Sequence, residues 1–324
     1  ITSTTSGVTD GSTTNDASIA LIFTSSEATT DFIATGISVV NGSIGTLSGS
    51  GTRYTAIFTP SAAGPTTIDV AGSTFTDAVG NSNLAATQFN WTYDTVSPFM
   101  TIESTTIGVS SGSTTNDTSI ALTFTSSKAT SDFVASDITV NGAGGLNFSA
   151  TSSTVYTATF TPSAAGATTI DVSGSTFTDL AGNNNSPTPQ FTWTYDNVKP
   201  TMTISAENSS DQPVANESTT NDASLALIFT SSKATNDFIA TDISVTNGSI
   251  SNFSGSGTRY TATFTPSAAG ATTIDVSGSA FTDVVGNNNS AATQFTWTYD
   301  NEPLTMAITS TTSGVTDGST TNDA

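Results

Sequence analysis

Carboxylates are the reactive groups this chain has in number. Its 324 residues include 26 Asp and Glu against 5 Lys and Arg, with neither His nor Cys. Without imidazole or thiol there is no thiolate nucleophile, no histidine base, no disulfide and no common zinc ligand. Two kinds of chemistry remain: paired acids for proton transfer, or oxygen ligands for a hard cation such as calcium, which takes roughly six to eight oxygens. Paired acids act in one unique cleft, whereas every acid here belongs to a recurring set or an evident loop. Catalysis is therefore not expected. The net charge of −21 repels phosphate backbones and anionic headgroups, so nucleic acid and membrane surfaces are not expected partners. No apolar run approaches the ~18 residues that span a bilayer, so membrane insertion is not expected. The first residues do not resemble a basic, apolar signal peptide, and with Ile1 in place of an initiator Met the chain is expected to be a mature product or an excerpt.

The candidate ligands fall into three aligned sets. Glu27, Asp31, Asp77 and Asn81 form the first, Asp94, Asp132, Asp179 and Asn183 the second, and Asp196, Asp237, Asp283 and Asn287 the third. Their alignment follows from an internal repeat. Trp91, Trp193 and Trp297 each sit in Phe-x-Trp-Thr-Tyr-Asp, and Thr-Thr-Asn-Asp recurs from Thr13, Thr114 and Thr219. Phe-Thr-Pro-Ser-Ala-Ala-Gly recurs from Phe58, Phe160 and Phe264, and Phe-Thr-Asp-x-x-Gly-Asn from Phe75, Phe177 and Phe281. This spacing predicts repeats over 1–97, 98–199 and 200–303, with 304–324 opening a further one. Residues 308–324 match residues 1–17 at all 17 positions, while the corresponding stretch of the second repeat differs at 5. Such a pattern is expected of one turn of a three-repeat unit in a longer array.

Strands must position these acids. Ile19, Leu21 and Phe23 share one face of an alternating run, as do Tyr156, Ala158 and Phe160, with threonine opposite. That period-two pattern predicts half-buried strands. In the second repeat strands are predicted over 100–103, 119–125, 133–140, 146–150, 155–161, 168–177 and 190–195, separated by Asn, Gly and Pro turns. About seven antiparallel strands in about 100 residues predict an all-β chain of tandem immunoglobulin-like sandwiches in an extended rod.

Chain direction alternates in such a sandwich, so the closing Asp94 should meet the loops of the next repeat that hold Asp132, Asp179 and Asn183. Asp196 should likewise meet Asp237, Asp283 and Asn287, and calcium at these junctions would stiffen them. Lys128 and Lys233 stand where the first repeat has Glu27, directly among the acids. A lysine ammonium can fill the charge-balancing role of a cation, and both readings stay open. A third reading makes these Asp and Asn residues turn caps, and it is the one favoured for Asp16, Asp117 and Asp222.

The run Phe-Thr-Pro-Ser-Ala-Ala-Gly, Thr-Ile-Asp-Val, Phe-Thr-Asp-x-x-Gly-Asn and Phe-x-Trp-Thr-Tyr-Asp, closing on Pro98, Pro200 or Pro303, resembles the bacterial Ig-like domains of giant surface adhesins and fibre proteins. The resemblance covers essentially the whole chain. It implies an extracellular shaft at the bacterial cell surface, calcium at some junctions, and further copies of the same repeat as partners along a fibre. Lateral self-association is also expected, with residues 207–217 as a candidate contact. The alternative function is a carbohydrate- or surface-binding array presenting threonine rows such as Thr157, Thr159 and Thr161.

Overall fold

A computed structural model describes residues 1–318 and Thr320. It divides into two compact units, Ile1–Asp196 with the first two repeats and Asn197–Ala324 with the third. Among the described residues the strands form six 4-stranded sheets, two in each repeat. Expected residues 304–318 have no strand, and residues 319 and 321–324 of the further copy lie outside the described residues.

The second repeat shows the plan. One sheet runs Ala143–Ala150, Val155–Pro162, Ile120–Ser126, Met100–Ser104, and the other runs Ser113–Thr115, Phe191–Tyr195, Gly166–Val172, Ile138–Asn141. Alternation decides which side chains meet between them. Ile120, Leu122 and Phe124 are buried opposite Phe160, Ala158 and Tyr156 in antiparallel register. Trp193 closes the core from the other sheet at 1% exposure. Each of the larger apolar side chains in this set contributes about 1.5–3 kcal/mol by leaving water.

The strand assignments need three corrections. Thr-Thr-Asn-Asp is not simply a turn: Ser113–Thr115 is a strand, paired parallel to Phe191–Tyr195, so the repeat has eight strands and they are not all antiparallel. Residues 133–140 are not one strand. Asp137 accepts a hydrogen bond from the Val134 amide at 2.8 Å, closing a 3-10 turn over Ala135–Asp137 before the strand Ile138–Asn141 begins. Residues 173–177 likewise leave the sheet after Gly166–Val172, because Asn185 Oδ1 accepts from the Thr176 and Phe177 amides at 2.8 and 3.0 Å. Period two alone cannot see these stops, since an extended loop buries alternate residues as a strand does. Phe133 and Phe177 still point inward, with ring centroids 5.2 Å apart.

Candidate junction site

Lys128 follows the strand Ile120–Ser126, and Asp94 follows Phe89–Tyr93 of the first repeat. Lys128 Nζ donates to Asp94 Oδ2 at 2.6 Å and Oδ1 at 2.8 Å, to Asp179 Oδ2 at 2.9 Å, and to the Val96 carbonyl. An ammonium has three protons, and the two carboxylates and one carbonyl match them. The cluster is partly withdrawn from water, the Asp179 side chain being 3% exposed and that of Lys128 25%.

Asp179 is held before the lysine arrives. Its Oδ1 accepts from the amides of Ala181 at 3.0 Å and Asn183 at 2.9 Å, while Asn183 Nδ2 donates to Oδ2 at 3.1 Å. The same Nδ2 lies 3.1 Å from the Asp94 carbonyl, so Asn183 ties the turn to the preceding repeat. Burial opposes the charge on Asp179, but the Asn183 hydrogen bonds and the Lys128 ammonium hold its carboxyl below the ordinary value. For Lys128, too, burial opposes the charge, and the carboxylates of Asp94 and Asp179 outweigh it and raise the lysine.

Asn15 was not among the expected site residues. Its amide donates to the Ala181 carbonyl at 2.9 Å and its Nδ2 to the Gly182 carbonyl at 2.7 Å, joining the first repeat to the same turn. A Cβ on Gly182 would lie 3.1 Å from Asn15 Oδ1, and its φ of +91° suits glycine on its own account. The recurrence of Thr-Thr-Asn-Asp was the available signal, but it points equally to a local cap. In the third repeat Lys233 Nζ donates to Asp283 Oδ2 at 3.0 Å and to the Val198 carbonyl, and Asp283 Oδ1 accepts from the Asn287 amide at 2.8 Å. Asp196 ends the first unit, where its amide donates to the Thr115 carbonyl at 2.9 Å.

The structure separates the remaining acids from the lysine clusters. Asp132 accepts from the Thr178 amide at 3.1 Å, Thr178 Oγ1 at 2.8 Å and Thr130 Oγ1 at 2.6 Å. Asp31 makes the same set with Thr76 and Thr29, and Asp237 with Thr282 and Thr235. These three are staples within one sandwich, pinning the loop that carries Asp77, Asp179 or Asp283. At the head of the first repeat Asp77 accepts from the Asn81 amide and Nδ2, each at 2.8 Å, while Glu27 is exposed in the lysine position. Among the described residues no three acidic side chains are grouped to hold a metal ion. At the first junction the Lys128 ammonium stands between the Asp94 and Asp179 carboxylates.

The staples make stability acid-sensitive. The Thr76 backbone amide, then the Thr29 and Thr76 hydroxyls, lower Asp31 from 3.8 to about 2. In Asp132 and Asp237 burial opposes the charge, but the threonine hydrogen bonds win and both are lowered. A carboxylate lowered on folding stabilises at any pH above its unfolded value and loses that contribution as pH falls through the folded value. Thermal melting temperature is expected to be level from about pH 5 to about pH 9 and to fall between about pH 4 and pH 2. Asp31→Asn should flatten that slope in the first repeat, as read by melts across the range.

A family model for the bacterial Ig-like domain matches residues 2–93, 94–194 and 196–299. A search of curated proteins finds no match. Among solved structures, Yersinia pseudotuberculosis InvD is 13% identical over 89% of this chain and 94% of its own, with a TM-score of 0.39. The Escherichia coli adhesin FdeC is 12% identical over 89% and 94%, with a TM-score of 0.34. Invasin, a bacterial integrin-binding protein, is 16% identical over 82% of this chain, with a TM-score of 0.33, and the chain spans 55% of the invasin chain. Three matched segments cover nearly every residue, each holding its own paired sheets and buried tryptophan, and the chain belongs to the bacterial Ig-like domain family.

Proposed function

We infer that the chain is a structural segment of a shaft on the bacterial cell exterior, extending an adhesive or assembling part away from the surface, without catalysis. The observation that carries this reading is the first junction. Lys128, Asn183 and Asn15 bind the second repeat to the first through both side chains and backbone. A flexible tether between binding modules has no need of such a joint, whereas a load-bearing series of domains does. Pro98 and Pro200 stiffen the connecting segments further. The partners in this reading are further repeats of the same kind, placed end to end or side by side.

A strand of ten residues spans about 33 Å, so three repeats in series should reach on the order of 100–130 Å. Small-angle scattering or rotary-shadowed images should give an elongated particle of that length, and a compact particle would sink the shaft reading. A second reading as a carbohydrate-binding array rests on the exposed Thr157 and Thr161. The three tryptophans, each 1% exposed, offer no aromatic platform for a sugar. Specific glycan-array binding would favour it.

A further inference from the structure

The turn of residues 179–183 grips the first repeat where two of its strands end. Ser12–Thr14 is an edge strand of three residues, paired parallel to Phe89–Tyr93, its one neighbour in the sheet. Their pairing closes on the Asp94 amide, which donates to the Thr14 carbonyl at 3.0 Å. The groups that follow on both strands turn to the second repeat. On one, the Asn15 amide and Nδ2 donate to the Ala181 and Gly182 carbonyls; on the other, the Asp94 carbonyl accepts from Asn183 Nδ2. A single turn thus bridges the two strands.

This bridge bears on the core of the first repeat. A three-residue edge strand opens readily on its own, yet Thr14 Oγ1 accepts from Trp91 Nε1 at 3.2 Å, and Trp91 is 1% exposed. Opening of that strand leaves the buried indole N–H unpaired, which costs more than the bond contributes when made. The turn keeps its shape through bonds within the second repeat. Asp179 Oδ1 accepts from the Ala181 and Asn183 amides, the Leu180 amide donates to the Ala129 carbonyl at 3.2 Å, and Asp132 accepts from the Thr178 amide. Its grip therefore lasts only while the second repeat is folded.

We propose that the second repeat is a folding cap for the first, so that the two are coupled in stability through the turn of residues 179–183. Domains in one chain can in principle fold alone, but here the contacts between them fall on the edge whose opening uncovers a core tryptophan. The coupling is reciprocal: whatever stability the folded second repeat lends the first, the first returns. It deepens the shaft reading and rests on it for purpose, since neighbours that brace each other suit a shaft. The coupling itself stands on the joint.

Asn15→Ala separates this coupling from ordinary stability, because among the described residues the Asn15 side chain makes its one hydrogen bond across the joint. Native-state hydrogen exchange of the full chain reads it at Ile19–Thr29 and Ile120–Ser126, interior strands of their sheets in the first and second repeats. Loss of that bond should speed the slowest amides of both strands about three-fold, by the same factor in each. Asn183→Ala, a change wholly within the second repeat, should speed those of Ile19–Thr29 about five-fold. Acceleration confined to Asn15, Asp94 and the turn would overturn the coupling. So would an Asn15→Ala effect on the first repeat alone, since a shared contribution must appear on both sides. Neither result would touch the elongated shape that tests the shaft reading.

Discussion

Trp193→Ala is expected to lower the stability of the second repeat by about 4 kcal/mol. The side chain is 1% exposed and sits on Phe191–Tyr195, a strand flanked by Ser113–Thr115 on one side and Gly166–Val172 on the other. Domains of this size are stable by only about 5–15 kcal/mol, so the loss should separate the melting of this repeat from that of the others in calorimetry. A gentler comparison refines the result. Trp91 Nε1 donates to Thr14 Oγ1 at 3.2 Å and Trp297 Nε1 to Thr220 Oγ1 at 3.0 Å, but buried Trp193 Nε1 has no acceptor among the described residues. Trp193→Phe should therefore cost about 1 kcal/mol less than Trp91→Phe. Equal costs would show that the indole hydrogen bond contributes nothing.

The second large effect is at the junction. Lys128→Met keeps most of the packing volume and removes the ammonium, leaving the Asp94 and Asp179 carboxylates to face each other. Removing one member of a buried ion pair costs about 3–5 kcal/mol, and because Lys128 and Asp94 are 25% and 23% exposed a loss of about 2 kcal/mol is expected. Hydrogen exchange at the amides of Val96 and Ser186 should accelerate accordingly. Asp94→Asn in the same chain should restore part of the loss, since it removes the repulsion. Unchanged exchange in Lys128→Met would mean that Asn15 and Asn183 alone hold the joint.

Much of this was legible in the sequence for reasons of period. The repeat is visible because three tryptophan motifs recur, and the cores because large residues alternate with threonine in Ile19–Thr29 and its counterparts. Lys128 announced its place among acids because only 5 basic residues exist and two share one aligned position. The different duties of neighbouring carboxylates were not legible. Asp132 and Asp179 belong to one predicted cluster by strand counting, yet Asp132 turns to Thr178 within its own sandwich while Asp179 shares the Lys128 ammonium with Asp94 of the preceding repeat. Counting strands places a residue at one end of a sandwich but does not say which donors its carboxylate meets. Nor could alternation identify Ser113–Thr115 as a strand, for its three residues are too few to show a period.

That short strand has a mechanical consequence. It enters the second repeat near the start and lies parallel to Phe191–Tyr195, which leaves at the end, with Ser113 opposite Trp193 and Thr115 opposite Tyr195. Tension applied through the two ends draws these strands in opposite directions along their own axes. Their hydrogen bonds, together with that from the Asp196 amide to Thr115, are loaded in shear and must fail together rather than unzip one by one. Thr13 and Thr219 occupy the same parallel pairing in the first and third repeats. Every repeat thus carries a small transverse lock between its entry and its exit, and a pull along the chain meets one such lock in each.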